Sequence, residues 1–262
     1  MEIIVLTSIF FALEGFIIGS FLNVVIDRLP LGKSLGGRSS CDSCGRTLSL
    51  GELVPVLSYA LQGGKSKCCK EKLTIQYSLV ETATGLSFFV VTYLYFIQVT
   101  SISARSLFGL IGLLVITSTS IAIALIDSRH HIIPDELQLS LFVGVIIYHL
   151  SLNSLHVMLV GQALIVALPI LLLYLFTRGR GMGFGDVKMQ MTLGLWLGLA
   201  QGFLGVYLGF LTGALYGGML LALRKAGRKT QIAFGPFLLL GAWIAFVWGD
   251  SLIGLAKQVL RL

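Results

Sequence analysis

Two aspartates, Asp127 and Asp186, are the residues of this 262-residue chain whose type and setting best suit chemistry. Asp186 lies in Gly181-Met182-Gly183-Phe184-Gly185-Asp186-Val187-Lys188, between two long apolar runs, and Asp127 closes the apolar run ending in Ala124-Leu125-Ile126. An ionisable group at a membrane boundary is costly and is by default a candidate functional group. Gly181, Gly183 and Gly185 are expected to give irregular or positive-φ backbone that a substrate can approach. Two facing carboxylates cannot both ionise easily, so one holds a proton near neutral pH. The ionised partner can take a proton from water while the protonated one polarises a peptide carbonyl, which is hydrolysis of the aspartic-protease kind. Each acid also has a plainer reading: Asp186 as a helix cap, and Asp127 as a helix-end charge paired with Arg129. Their joint position favours the pair. Asp135, after Pro134, reads as a cap, and the adjacent His130 and His131, whose side chains point apart, read as solvated interface residues.

The elements that must position these acids are membrane helices. The chain is 56% hydrophobic and 12% charged, with mean hydropathy +0.91. A spanning helix needs about 20 mostly apolar residues, and eight such runs are read at 3–26, 79–98, 106–126, 136–153, 155–176, 188–202, 204–223 and 233–256. The break at Gln201-Gly202 is the weakest. The expected fold is an all-α polytopic membrane protein of about eight transmembrane helices with one cytoplasmic cysteine-containing loop. The domains read as a first helix at 1–26, the loop at 27–78 and a transmembrane domain at 79–262. Met-Glu-Ile-Ile-Val lacks the basic start of a cleavable signal, so the first span is expected to be retained. Its mid-span Glu14 is expected to face a helix partner or a polar cavity.

Of 19 Lys and Arg residues, sixteen fall on the side of the 27–78 loop, Arg228 and Lys229 among them; only Arg105, Lys257 and Arg261 fall opposite. That bias predicts a cytoplasmic loop, both termini outside, and both aspartates at the cytoplasmic face of the cell membrane. The net charge of +7 is then a matter of topology and calls for no nucleic-acid partner.

All four cysteines lie in the 27–78 loop. In a reducing cytoplasm Cys41-Asp42-Ser43-Cys44-Gly45 reads as half of a zinc knuckle rather than a disulfide. Ser66-Lys67-Cys68-Cys69-Lys70 is less regular, because adjacent cysteines cannot easily ligate one ion without backbone distortion. A three-cysteine site completed by water, a hydroxyl or Asp42 is one reading; a redox or incidental role for the thiols is the other.

Together these residues resemble a known family. Gly183-Phe184-Gly185-Asp186 matches the GxGD signature of intramembrane-type aspartyl proteases, and the longer Gly181–Lys188 run is similar to the type IV prepilin peptidases. Ile126-Asp127 with Ile133-Pro134-Asp135 looks like that family's first catalytic segment. Gly19–Val25 with Arg28-Leu29-Pro30, Leu53–Tyr59, Gln76–Glu81 and Phe234-Gly235-Pro236-Phe237 resemble it too, in order along nearly the whole chain. The overall look is closest to the competence-type members. The resemblance implies a leader peptidase that cuts type IV prepilins or pseudopilins on the cytoplasmic side of their apolar helix, after a glycine and usually before a phenylalanine. It implies catalytic roles for Asp127 and Asp186, and substrate approach along Gly183 and Gly185. It implies zinc at Cys41, Cys44 and Cys69, with Ser66 where the family usually has its third cysteine and Cys68 as a substitute. Many members also methylate the new N-terminus with S-adenosylmethionine, and Glu81 is a candidate polar contact for that site.

Two rival readings fit the sequence less well. A presenilin-like GxGD protease is disfavoured by the cysteine loop and by the Pro-Asp after Asp127. A proton-coupled transporter would usually show inverted repeats and acids nearer the midplane.

Overall fold

A computed structural model describes residues 1–41, 43–99, 102–225, 227 and 231–260. Asp42, a candidate fourth metal ligand, and Arg228, Lys229 and Arg261 of the charge count lie outside the described residues. The helices are α1 (Glu2–Arg28), α2 (Leu57–Leu61), α3 (Gln76–Gln98), α4 (Ala104–His130), α5 (Asp135–Leu152), α6 (Val157–Thr177), α7 (Phe184–Ala222) and α8 (Gly235–Leu260). Among the described residues the extended pairings are two isolated bridges, Ser40 with Thr47 and Lys65 with Lys72. The protein is an all-α polytopic membrane protein. The chain forms two compact units, Met1–Ala122 and Ile123–Leu262.

In the first unit α1 packs on α3 through a small-residue seam. A Cβ on Gly15 would lie 2.9 Å from the Gly85 Cα, and one on Gly19 would lie 2.7 Å from the Glu81 Cα. In lipid, helices gain little from burying apolar surface against one another, so close backbone packing through Gly-x-x-x-Gly faces holds them instead. The seam brings Glu81 against α1. Further along, Phe88, Phe96, Leu110 and Leu114 form a buried cluster flanked by Ile4, Phe11 and Tyr95. Glu14 is exposed on α1 rather than turned to a helix partner or a polar cavity within this unit.

In the second unit α7 packs against α5, α6 and α8. Among the described residues seven helices are long and apolar enough to cross a membrane, against the eight runs expected, because α7 holds two of those runs in 39 residues. Its halves fold back on each other. A straight helix would put Gly213 about 40 Å from Gly185. Yet Gly185 and Gly235 both approach Ile133, and Gly213 packs on Phe234, the neighbour of Gly235. A Cβ on Gly194 or on Gly202 would likewise lie 3.0 or 2.9 Å from the same side chain, Val166. The reversal falls at Gly198 (φ 71°, ψ −167°) and not at Gln201-Gly202. That backbone region is open essentially to glycine alone. Gln201 remains helical, and its Nε2 donates to Asp250 on α8 at 2.9 Å.

Breaking a helix strands the carbonyls of the preceding turn, which a membrane interior does not forgive. One of them, Leu195 O, accepts a hydrogen bond from His149 Nε2 of α5 at 2.9 Å. The ring's Nδ1 meets Ser154 Oγ at 2.8 Å, which fixes the ring's orientation. Trp196 next to it stacks on Phe246 and meets Trp243 edge-on, closing the turn under aromatic rings.

Candidate active site

Asp127 lies in the last turn of α4 and Asp186 in the first turn of α7, both inside the second unit. Both are buried, at 5% and 9% exposure. Each sits at a helix N-terminus, where unsatisfied N–H groups and the helix dipole favour an anion. For Asp186 the helix is its own: Oδ2 accepts the Gly183 N–H at 3.0 Å, so the residue reaches back to the cap position without occupying it. For Asp127 the helix is α8: Oδ2 accepts the Gly235 N–H at 2.9 Å, across 108 residues of sequence. This bond is the contact across the fold that orients the Asp127 carboxylate. The two carboxylates are near enough to repel one another electrostatically. Asp186 Oδ1 is buried with no hydrogen-bond partner among the described residues, so one oxygen is held and the other is unengaged.

The glycine loop differs from expectation. Gly181, Gly183 and Gly185 all keep φ outside the left-handed region, which Arg178 and Gly179 enter instead (φ 52° and 75°). Gly183 is the extended cap residue, and the one side chain near its missing Cβ is that of Asp186. Gly185 is helical, and a Cβ there would lie 3.3 Å from Ile133. Asp135 is not the cap of α5, since Pro134 holds that position. Instead its carboxylate pairs with Lys188 Nζ and ties the start of α5 to the start of α7. His130 and His131 are exposed, as expected.

The four thiols of the first unit converge. Their Sγ atoms lie within 4.8 Å of one another, with Cys41 and Cys69 3.7 Å apart and Cys44 and Cys68 3.1 Å apart. Thiolates about 2.3 Å from a tetrahedral zinc would stand ~3.8 Å apart, so the donor set fits such an ion. Adjacent Cys68 and Cys69, expected to share one ion only with backbone distortion, both bring their Sγ atoms into the cluster. Two loops repeat one design. Gly45 N–H donates to Cys41 O (2.9 Å) and Cys41 N–H to Arg46 O (2.8 Å); Lys70 N–H donates to Ser66 O (2.9 Å) and Ser66 N–H to Glu71 O (2.7 Å). Gly45 and Lys70 both take positive φ, 70° and 60°. Ser66 therefore stands where Cys41 does, and Cys69 where Cys44 does. The Ser66 hydroxyl lies 3.4 Å from Cys41 Sγ and 3.0 Å from Cys68 Sγ. This hydroxyl first, then the Cys44 and Ser43 backbones, draws the Cys41 thiol down to about 6.

Beside the thiols the first unit encloses a cavity of about 350 Å³. On α1, Ser20, Asn23 and Asp27 share one helical face; on α3, Tyr77 and Glu81 are one turn apart and line the opposite wall. Glu81, 7% exposed, accepts the Val56 N–H through Oε2 at 2.7 Å and is also bonded by the Ser20 hydroxyl. Val56 is β-branched yet has φ 60°, a strained conformation that this carboxylate clamps. Glu81, a candidate named from the sequence, lines this cavity, and so do Asn23 and Asp27, polar residues that recur at helical spacing in an apolar run.

Fold and site define an integral membrane protein with a buried carboxylate pair at the ends of two spans and a cysteine cluster in its first unit. Residues 13–95 match the bacterial peptidase A24 N-terminal domain and residues 114–218 the type IV leader peptidase family. The chain is similar to a prepilin leader peptidase/N-methyltransferase of Pseudomonas aeruginosa, 34% identical over 92% of this chain and 90% of the relative. It is also similar to proteins of the same name from Pseudomonas putida, 31% identical over 94% and 92%, and from Pectobacterium carotovorum subsp. carotovorum, 31% identical over 87% and 88%. No solved structure matches it. The chain belongs to the type IV leader peptidase family.

Proposed function

We propose that this chain is a prepilin leader peptidase in which Asp127 and Asp186 form the catalytic pair, and that it also N-methylates the cleaved product. One carboxyl of the pair is protonated and polarises the scissile carbonyl. The other takes a proton from water, whose oxygen adds to the carbonyl carbon, and the leaving amine is protonated as the C–N bond breaks. What supports the reading is the buried pair itself, with Asp186 Oδ1 unengaged. Gly183 and Gly185 immediately precede that oxygen's residue and are the backbone along which an extended substrate would pass. The bond cut follows the leader's last glycine, usually before phenylalanine. Type IV prepilins or pseudopilins are the substrates, held by their apolar helix within the lipid bilayer.

The Lys and Arg excess supports placing this chemistry at the cytoplasmic face of the cell membrane. In that loop Cys41, Cys44, Cys68 and Cys69 are the residues that would hold a structural zinc, which cross-links two segments too poor in apolar residues to form a core. For methylation, S-adenosylmethionine supplies the methyl group. The neutral α-amine of the new N-terminus forms the N–CH3 bond, the S–CH3 electron pair returns to sulfur, and the amine's proton goes to water.

Cleavage of a prepilin-like peptide by purified protein tests the pair. Asp127→Ala and Asp186→Ala are each expected to abolish cleavage in protein that remains folded. Cleavage retained by either variant overturns the assignment.

A further inference from the structure

We infer that Gln138 is a substrate-binding residue of the peptidase, whose side-chain oxygen accepts a main-chain N–H of the unwound segment beside the scissile bond. The inference rests on the catalytic pair proposed above. Gln138 lies near the start of α5 and is 7% exposed. Its Nε2 donates to Ile133 O at 3.5 Å. A carbonyl only accepts, so this contact fixes which end of the amide is nitrogen and leaves Oε1 as an acceptor. Oε1 is buried and has no hydrogen-bond partner among the described residues. Most buried polar atoms are paired, and an unpaired one costs stability, so it calls for a reason.

Its place supplies one. A Cβ on Gly185 would lie 3.7 Å from Gln138 Nε2 and 3.3 Å from Ile133 Cβ, and one on Gly235 would lie 3.5 Å from Ile133 Cδ1. Gly185 directly precedes Asp186, and Gly235 holds Asp127 through its N–H. The Gln138 carboxamide therefore stands against the backbone beside one acid and shares Ile133 with the anchor of the other, all within the second unit. Asp186 Oδ1 is a second buried, unpartnered oxygen at the same end of the unit.

The two oxygens suit different tasks. A helix spends its carbonyls and N–H groups on its own hydrogen bonds, so a helical substrate must unwind to be cut. Unwinding at the edge of the lipid frees N–H groups, and each needs a new acceptor. Oδ2 of each aspartate already accepts a glycine N–H. Asp186 Oδ1 has to stay open for the reaction. Gln138 Oε1 is a buried acceptor that the hydrolysis itself does not use. Being part of a neutral amide, it takes an N–H without adding a third negative charge beside a pair that shares one proton.

The experiment uses full-length protein in lipid nanodiscs and synthetic prepilin-like peptides holding the leader and the apolar segment. In three of the peptides an ester replaces one amide, removing the N–H of the glycine before the scissile bond or of the second or third residue after it. Wild type is expected to lose about tenfold in kcat/KM on one of these esters. Gln138→Met, which nearly keeps the side-chain volume, is expected to cut the all-amide peptide about tenfold more slowly and to show no further loss on that same ester. Its melting temperature should equal or exceed that of wild type, because the variant removes an unpaired buried acceptor. A merely structural role would instead lower the melting temperature and leave the ester penalty unchanged. The inference is overturned if wild type shows no penalty on any of the three esters, a result that needs no variant to fold. It is also overturned if Gln138→Met cuts the all-amide peptide as wild type does, or if the two enzymes show equal penalties throughout. Those outcomes leave the aspartate pair standing, since only cleavage by Asp127→Ala or Asp186→Ala would remove it.

Discussion

The Gly235 N–H at the start of α8 donates to the Asp127 carboxylate at the end of α4, 2.9 Å away. The same approach leaves no room for a side chain, since a Cβ on Gly235 would stand 2.8 Å from that oxygen. A glycine remote in sequence thus sets the direction of an acid proposed to be catalytic. Gly235→Ala is expected to push the carboxylate aside and to lower kcat for prepilin-peptide cleavage by about 100-fold, the penalty of misplacing a reacting group by roughly an ångström. Steady-state kinetics on folded variant would check this. A wild-type kcat would show that the contact does not position Asp127.

Asp127 and Asp186 act as one unit if they share the hydrolytic step, so their losses should not add. Each Asp→Asn change is expected to cost about 10²–10⁴ in rate, and the double variant little more than the worse single. Single-turnover cleavage of the three variants is the measurement. Multiplicative losses would mean that the two acids work independently.

His149 is the side chain that meets a carbonyl stranded by the Gly198 reversal. His149→Leu leaves Leu195 O buried without that donor, which typically costs about 1–3 kcal/mol. Reversible unfolding in mixed micelles should report that loss, with His149→Asn milder. A His149→Leu protein as stable as wild type would refute the role.

The repeat of backbone bonding assigns Ser66 to a ligand position that Cys68 now serves. Purified protein is expected to carry about one zinc per chain, and Cys68→Ser less than half of that. Adding Ser66→Cys to Cys68→Ser should restore the metal, since it returns the thiol to the position matching Cys41. Metal analysis and chelator challenge would decide, and failure of the double change to regain zinc would count against the register argument.

Glu52 caps the turn it ends: its carboxylate accepts the Ser49 N–H at 2.9 Å and the Ser49 hydroxyl at 2.7 Å, and pairs with Arg46. These bonds, the backbone one foremost, hold the Glu52 carboxyl below its ordinary value of 4.5. A carboxyl lowered in the folded state binds fewer protons there than when unfolded, so its stabilisation is complete above 4.5 and fades as pH falls through the lowered folded value. Protease nicking of the 27–78 loop should therefore rise on acidification below that range in wild type. Glu52→Gln should nick more readily at neutral pH and show less of the acid rise, and an identical pH profile for the two would refute the cap.

Much was legible beforehand because the signals are local. Spans follow from apolar runs of bilayer length, and α1, α3, α4, α5, α6 and α8 fall close to their expected places. The exception is α7, where Gln201-Gly202 looked like the break. Glycine content alone does not say which glycine the packing forces into a non-helical backbone, and Gly198 is settled by its surroundings. The same limit applies to the cysteines. Adjacent cysteines are expected to share one ion only with backbone distortion, and only the tertiary structure shows Cys68 and Cys69 both turned into the cluster.

By itself the sequence determined that this is a membrane protein, which acids lie at the ends of its spans, and that its thiols gather in one loop. Those properties depend on residue type and near-neighbour order, which hydropathy and short motifs record. The tertiary structure decided what each group touches: Asp127 bound to Gly235, His149 to Leu195, Ser66 among the thiols, and Asp27 and Glu81 facing one cavity. Such contacts join residues tens to more than a hundred positions apart, so their geometry comes from helix packing, where a single missing Cβ sets how closely two backbones approach.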